Sequence, residues 1–307
     1  MKRTSIVWMV AMLVLAARPA YAWDDFGHRL VARIAWEEMT PQARARAIRI
    51  LQGAAPDTRL LQGFGAGTLS PQRQIDLFVS GATWPDNVRP QDPRATKYHV
   101  RDRHFTDIFW EQRRDFGPIR PSSLPESGDL LKDVGQLQAD LTGTDRARAA
   151  VALAWLQHLV GDIHQPLHAS GRVTPREPQG DQGGNLFELE SLGNGRRRTL
   201  HSVWDGIVTR SVQRRQGERD EAFLARVAAE VMQRHPRSRL GAEIGQQEFR
   251  QWAEASVRIA QRSVYRPPLV RNQAAPTAYQ RAAFQAAEPR IALAGYRLAD
   301  LLNRALQ

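Results

Sequence analysis

Cysteine is absent from this chain of 307 residues. Disulfide bonds and thiolate metal ligands are therefore excluded. Any transition-metal site has to be built from histidine, aspartate, glutamate, backbone groups and water. Internal repeats and low-complexity linkers are also missing, and a chain of this length can form one large domain. We predict a single domain over residues 23–307.

Lysine is scarce as well, so arginine supplies almost all of the positive charge. The formal net charge is +11. A basic protein suits a polyanionic substrate. An arginine-rich composition alone does not indicate one, so the charge permits such a partner without identifying it.

Long apolar runs are limited to residues 6–17, which are too few for the roughly 20 residues of a membrane-spanning helix. A Lys-Arg pair precedes this run, and Ala20-Tyr21-Ala22 follows it as a small-x-small cleavage site. This order is typical of a secretory signal peptide. We predict that residues 1–22 are removed, which would leave Trp23 as the first residue of a periplasmic or secreted protein. We expect no stable association with a membrane.

Helical periodicity dominates the rest of the sequence. Thr40-Pro41 and Ser70-Pro71 each resemble an N-cap followed by proline at the first helical position. Residues 186–190 instead alternate apolar and polar side chains, and Asn194-Gly195 suits a hairpin turn before the chain returns at Thr199-Leu200. We predict an all-α, multi-helix fold with one small β-hairpin insertion. The predicted helices span residues 26–39, 41–51, 146–162, 201–215, 220–235, 246–262, 277–288 and 290–306, with another beginning at Pro71.

Two His-x3-Asp pairs carry the main chemical signal. His158 and Asp162 form the first pair, and His201 and Asp205 form the second. This spacing places an imidazole and a carboxylate on one face of a helix. His168 lies just beyond a helix-ending proline that can return it toward the first pair. Nitrogen and oxygen ligands in this pattern predict a zinc site.

Other candidate ligands lie outside these pairs. Asp86 and His99 occur in loop regions, where site residues are common. His28 opens the first predicted helix, five residues after Trp23. An amino group at Trp23 would be partly neutral near pH 8 and could ligate zinc.

Together these segments resemble the S-one/P-one nucleases, which are zinc-dependent single-strand nucleases and 3′-nucleotidases. The resemblance follows the family's order from Trp23 to Asp205. The matching pieces are Trp23, Gly27-His28, Trp84-Pro85-Asp86, Tyr98-His99-x-x-Asp102, the block from His158 to His168, Gly183-Gly184-Asn185 and His201-x-x-Trp204-Asp205.

The resemblance implies three Zn²⁺ ions and assigns their ligands. The ligands of the first ion would be Asp86, His99, His158 and Asp162. The ligands of the second would be His168, His201 and Asp205. The ligands of the third would be Trp23, through its amine and carbonyl, His28 and Asp162. The remaining histidines, His104, His164 and His235, are interpreted as core or surface groups.

Three further residues are expected to act on the substrate. We hypothesise that Asp102 orients the attacking water or serves as the base, and that Asn185 hydrogen-bonds the phosphate. Arg89 stands where the family often has lysine, which would change a point charge into a planar fork. Val100 stands where the family has an aromatic residue after the loop histidine, which would remove a base-stacking ring.

The implied activity is hydrolysis of the P–O3′ bond of single-stranded RNA, DNA and 3′-nucleotides by a monomeric endonuclease/3′-nucleotidase, giving 5′-phosphate products. The preferred nucleic acid and base stay open. A zinc-dependent phospholipase C, which has a similar His-x3-Asp block, is the rival enzyme. A zinc-stabilised basic helical binding protein is the rival without catalysis. The three protein ligands of the second zinc favour an enzyme, because structural zinc sites use four.

Overall fold

The computed structural model describes residues 23–65, 67–193 and 196–307. The predicted signal peptide and the predicted Asn194-Gly195 turn lie outside these ranges. The described chain is mostly helical, as predicted. Its helices up to the middle of the chain are α1 (Asp25–Glu38), α2 (Pro41–Gln52), α3 (Pro71–Gly81), α4 (Trp84–Asn87), α5 (Ala95–Tyr98), α6 (Leu130–Thr142) and α7 (Arg146–His164).

Short polar residues start the early helices as the sequence indicated. The Thr40 hydroxyl accepts a hydrogen bond from the Ala43 amide at the start of α2, and Ser70 does the same for Arg73 at the start of α3. Both helices carry proline in the first turn, where its missing N–H costs nothing. The predicted central helix is α7, and almost every residue in its second half is buried. Helix α7 packs against α2, α6 and two helices of the C-terminal half, Phe249–Ile259 and Thr277–Ala305.

In the C-terminal half, the helices are interrupted at other positions than predicted. A helix predicted over residues 201–215 is divided at Gly206. The two predicted C-terminal helices are instead one continuous helix with Pro289 inside it, because burial of the flanking turns outweighs the lost backbone hydrogen bond. The helices are α8 (Leu200–Asp205), α9 (Ile207–Ser211), α10 (Asp220–Arg234), α11 (Gly241–Ile244), α12 (Phe249–Ile259), followed by a π turn at Ala260–Val264, and α13 (Thr277–Ala305).

The predicted hairpin is confirmed as two antiparallel strands. A second, three-stranded sheet and helix α6 were not predicted. The strands are β1 (Ile108–Glu111), β2 (Arg120–Pro121), β3 (Ser170–Val173), β4 (Glu188–Gly193) and β5 (Arg196–Thr199). In the three-stranded sheet the order is β2-β1-β3, with β1 antiparallel to β2 and parallel to β3.

One hydrophobic core connects these elements, and its most extensive helix pairing joins α1 to α13. Strands β1 and β3 lie beside the C-terminal end of α7, since β3 follows that helix after a short 3-10 turn at Pro166–His168. The end of α7 therefore lies close to both α1 and this small sheet. Within the described ranges, no helix is both long and apolar enough to cross a membrane.

Candidate metal centre and adjoining cleft

Two helices bring His28, His158 and Asp162 together in the core. All three side chains are fully buried. His28 Nε2 lies 3.3 Å from Asp162 Oδ1, and His158 Nε2 lies 3.3 Å from Asp162 Oδ2. The two imidazole rings stack with centroids 3.9 Å apart. Each oxygen of Asp162 therefore faces a different histidine, as expected for a carboxylate shared between two ions.

Asp86 and His104 complete this group. His158 Nε2 is 3.5 Å from Asp86 Oδ1, and His104 Nδ1 is 3.0 Å from His158 Nε2 and 3.3 Å from Asp162 Oδ2. His104 ends a 3-10 turn at Arg101–His104 and packs against Trp155, whose ring centroid is 5.0 Å away. His104 is therefore a candidate ligand, although the sequence analysis interpreted it as a core or surface group.

The structure places His99 apart from the residues that were predicted to bind the first ion with it. This residue follows α5 at the edge of the cleft, and its Nδ1 is hydrogen-bonded to the Val88 carbonyl at 2.8 Å. Within the described ranges, His99 belongs to none of the histidine–aspartate groups whose ligand atoms lie within 4.8 Å of one another. The backbone turn between the two histidines explains this difference, because it carries His104 and not His99 to Asp162.

The second group contains His168, His201 and Asp205. His201 Nε2 lies 3.5 Å from Asp205 Oδ2, and His168 Nε2 lies 4.0 Å from Asp205 Oδ1. Gln165 donates to Asp205 Oδ1 at 2.7 Å and so fixes the carboxylate. The structure thus brings together the three residues that the resemblance assigned to one zinc ion.

Backbone carbonyls orient several of these rings. The Nδ1 atoms of His158, His168 and His201 lie 2.7–2.8 Å from carbonyl oxygens. A donated Nδ1–H fixes the tautomer and leaves Nε2 as the basic atom that faces the group. This arrangement is the usual support of a metal-binding histidine.

The electrostatics of the centre favour a bound cation. Burial raises the pKa of Asp86, Asp162 and Asp205 well above its ordinary value, and neighbouring carboxylates raise it further. Burial also holds the pKa of His28, His104 and His158 well below its ordinary value. Buried carboxylates without a counter-charge are costly. A divalent cation would stabilise their ionised forms and accept the neutral imidazoles as ligands.

The distances between the candidate ligand atoms also favour a bound metal ion. Tetrahedral zinc with bonds of about 2.0–2.1 Å separates its ligand atoms by about 3.3 Å. The observed separations of 3.0–3.8 Å around His104 and His158 fall near this value. Neither ring nitrogen of His28 has a hydrogen-bond partner in the described part of the chain, and both are buried. The donor set therefore fits zinc.

Two glycines leave space for the side chains of His28 and Trp23. A Cβ on Gly161 would lie 2.7 Å from His28 Nδ1, and a Cβ on Gly27 would lie 2.5 Å from Trp23 Cβ. Trp23 is fully buried, and the amide of Asp24 donates to the Asp205 carbonyl at 3.0 Å. The segment that enters α1 therefore lies beside both groups.

A cleft of about 320 Å³ opens over the centre and is lined by residues of both groups. The predicted substrate residues Arg89, Asp102 and Asn185 all line it. Asp102 is exposed at the rim. Asn185 donates one amide hydrogen to the Gln182 carbonyl at 2.9 Å, which orients its side chain. These three residues were predicted from the resemblance, and the structure places them at one opening.

Phe105 and Asp107 also line the cleft and were missed. They continue from His104 in the order His-aromatic-x-Asp, which repeats the His-x-x-Asp spacing first assigned to His99 and Asp102. In this register the aromatic residue follows the loop histidine directly, and Phe105 would take the place that the resemblance gave to Val100. The sequence contained this signal, because only the later segment has an aromatic residue in that place.

Asp107 has an unusual environment for a carboxylate. Burial and the nearby Asp181 raise its pKa to about 7, whereas a hydrogen bond from Ser127 Oγ at 3.3 Å opposes the rise. Backbone hydrogen bonds between Asp107 and Ser127 hold the segment in place. A carboxylate with a pKa near neutrality can exchange protons at physiological pH.

The other two histidines are placed where the sequence suggested. His164 is buried, with Nδ1 2.7 Å from the Val160 carbonyl and Nε2 2.7 Å from Arg297 Nη1. His235 follows α10 and pairs with Glu288 at 2.9 Å. Both therefore have structural partners away from the two groups.

A helical fold with two adjoining groups of buried histidine and aspartate defines a candidate metalloprotein. A family model described as S1/P1 Nuclease matches residues 23–307. The chain therefore belongs to the S1/P1 nuclease family, as the resemblance predicted.

Three individual relatives share 24–29% sequence identity with this chain. Endonuclease 3 of Arabidopsis thaliana is 27% identical over 218 residues, which cover 67% of this chain and 61% of that protein. Endonuclease 2 of the same plant is 29% identical over 217 residues, or 69% of this chain and 65% of that protein. Nuclease S1 of Aspergillus oryzae is 24% identical over 196 residues, or 64% and 57%. The alignments thus span about three fifths of the length of these relatives.

Proposed function

We propose that this protein is an exported, zinc-dependent endonuclease and 3′-nucleotidase that hydrolyses the P–O3′ bond of single-stranded RNA and DNA. The observation that carries the proposal is the pair of buried histidine–aspartate groups at the base of one cleft. Membership of the S1/P1 nuclease family and the endonuclease names of its relatives support the same reaction class.

Three Zn²⁺ ions would be held by the clustered residues. His104 would replace His99 in the predicted ligand set, beside Asp86, His158 and Asp162. His168, His201 and Asp205 would hold the second ion, and His28 with Asp162 and Trp23 the third. When bound, zinc activates water near neutral pH and stabilises negative charge on the phosphate and on the leaving oxygen.

The cleft residues supply the remaining chemistry. Asp107 accepts the proton of the attacking water, because its raised pKa and its burial suit a general base. Asp102 is exposed at the rim of the cleft. Arg89 neutralises phosphate charge, and Asn185 donates a hydrogen bond to a phosphate oxygen through its second amide hydrogen. Phe105 offers one face of its half-buried ring to a base.

The amino group of Trp23 is proposed as a ligand of the third ion. The complete burial of Trp23 and the tie between Asp24 and the Asp205 carbonyl support this placement. Removal of residues 1–22 during export would then be needed to free the amine. Zinc analysis of protein with and without an added N-terminal extension tests this point, and equal zinc content in the two forms would contradict it.

Product analysis tests the activity. The purified protein is incubated with a mixed-sequence single-stranded oligonucleotide, with and without a chelator, and in parallel with phosphatidylcholine. We expect chelator-sensitive release of 5′-phosphate products and no release of the lipid head group. Head-group release without nucleic-acid cleavage would favour the phospholipase C alternative, and zinc content with neither activity would favour the binding-protein alternative.

A further inference from the structure

Three side chains alternate along one extended segment and line the same cleft. They are Phe105, Asp107 and Phe109, the last of which belongs to β1. Successive side chains of a strand point to opposite faces, so residues two apart share a face. The segment is held in this register by the amides of Thr106 and Ile108, which donate to the carbonyls of His168 and Ala169. The order along the cleft is thus aromatic, carboxylate, aromatic.

The ring of Phe109 packs against two glycines. Phe109 is opposite Gly171 in the parallel β1–β3 pair. A Cβ on Gly171 or on Gly180 would overlap the Phe109 ring at Cε1. Gly180 also has a φ of +90°, a conformation that favours glycine. Any larger residue at either position would displace the ring, so the two glycines hold its partly exposed face in the cleft.

Residues beside the ring suit a nucleobase. Gln179, which precedes Gly180, is exposed and lines the cleft. A primary amide offers both a donor and an acceptor to the edge of a base. An aromatic face stacks on every base, independently of sequence. A flat ring and an amide in the same cleft therefore match a base better than a lipid chain, which has no polar edge to satisfy.

We propose that Phe109 forms a second base-stacking subsite, so that the cleft holds two neighbouring nucleotides of a single strand. A strand rises about 3.3 Å per residue, which separates Phe105 from Phe109 by about 13 Å with Asp107 between them. One ring would hold the base on one side of the scissile phosphate, and the other ring the base on the other side. This inference rests on the proposed nuclease activity.

The experiment compares Phe109→Leu with the wild type on four probes. They are a 3′-mononucleotide, a dinucleotide with one phosphodiester bond, and the same dinucleotide lacking either one of its bases. We expect kcat/KM on the intact dinucleotide to fall by roughly 5- to 150-fold, the range given by base–aromatic stacking. The mononucleotide should be hydrolysed at the wild-type rate, and the substitution should cost nothing further on the probe that lacks the base held by Phe109.

Two variants control for structural effects. Phe109→Trp keeps an aromatic face and should retain most of the dinucleotide activity. Phe64→Leu changes a half-exposed phenylalanine beside Arg73, outside the cleft, and should leave all four rates unchanged. Equal losses on the mononucleotide and the dinucleotide, or no loss on either, would overturn the subsite. Failure of the wild type to hydrolyse every probe would instead contradict the proposed function.

Discussion

The two sides of the candidate site are built from different secondary structure. On one side, α1 and α7 place His28, His158 and Asp162 in the core, where all three are fully buried. On the other side, the segment around β1 presents Phe105, Asp107 and Phe109 to the cleft, and both rings are partly exposed. The first side has the geometry of a metal centre, and the second has that of a substrate surface.

This difference shows what each kind of local structure can define. A helix fixes the positions of two residues four apart by itself, so a His-x3-Asp pair is already a ligand pair. A short strand does not fix its own register, because a shift by one residue moves each side chain to the opposite face. The strand segment needs the carbonyls of His168 and Ala169 to define which side chains reach the cleft. We therefore expect the largest effects on the helical side.

Asp162→Asn should cause the largest loss, because this carboxylate faces both His28 and His158. The amide has one oxygen in place of two and carries no charge. We expect loss of bound zinc and a decrease in nuclease activity of more than about 100-fold, beyond the cost of altering a residue that only supports a ligand. Elemental analysis and oligonucleotide hydrolysis measure both. Asp140→Asn, in α6 and outside the cleft, serves as the control, and full activity of Asp162→Asn would refute the shared-ligand model.

His104→Ala and His99→Ala test where the helical side meets the strand segment. Loss of His104 should remove zinc and most activity, because its Nδ1 lies within 3.8 Å of both Asp86 and Asp162. Loss of His99 should leave the zinc content unchanged, because His99 lies outside the histidine–aspartate groups of the described ranges. Zinc content of the two purified variants decides between them. The opposite outcome would restore the register inferred from sequence.

The sequence predicted the helical side well for this reason. The His158–Asp162 and His201–Asp205 pairs depend only on helical spacing, and the structure brings each pair together. The caps at Thr40 and Ser70 are equally local, and they start helices as predicted. Features that depend on neighbouring residues in sequence could thus be read without a structure.

Features that depend on contacts between residues distant in sequence could not be predicted without a structure. His99 and His104 both occur in a polar loop, and only the fold shows which of them reaches Asp162. Strand β1 was not predicted, because it is short and its partner β3 lies about 60 residues away in sequence. Pro289 was taken as a helix end, yet α13 continues through it in the buried core. In each case a tertiary contact outweighs the local preference.

Gly161→Ala should have an intermediate effect on the helical side. The new Cβ would lie 2.7 Å from His28 Nδ1, so the imidazole must shift from its position beside Asp162. We expect weaker zinc binding and destabilisation of about 1–3 kcal/mol from overpacking. Gly135→Ala is a matched control in α6, where a Cβ would meet no atom within 4 Å, and it should stabilise the protein by about 0.5–1 kcal/mol. Thermal unfolding with and without zinc measures both, and equal behaviour of the two variants would refute the steric argument.

Ser127→Ala should have the smallest effect, a shift in pH dependence on the strand side. The Ser127 hydroxyl stabilises the ionised form of Asp107, whose pKa burial raises to about 7. A base is active when it is deprotonated, so activity should fall as the pH drops through this pKa. Removing the hydrogen bond should raise the pKa further and move the acidic limb of the kcat/KM profile to higher pH.

Ser127→Ala should also change the pH dependence of the free energy of unfolding in a predictable direction. Because the pKa of Asp107 is higher in the folded state than its ordinary value of 3.8, the folded state binds more protons between about pH 4 and pH 7. The contribution of Asp107 to the free energy of unfolding therefore decreases as pH rises through this window, and it should decrease further in Ser127→Ala. Rate profiles on a 3′-nucleotide and unfolding curves at pH 5 and pH 8 measure the two effects. An acidic limb that stays in place or moves to lower pH would exclude Asp107 as the base and leave the strand side with a role in binding alone.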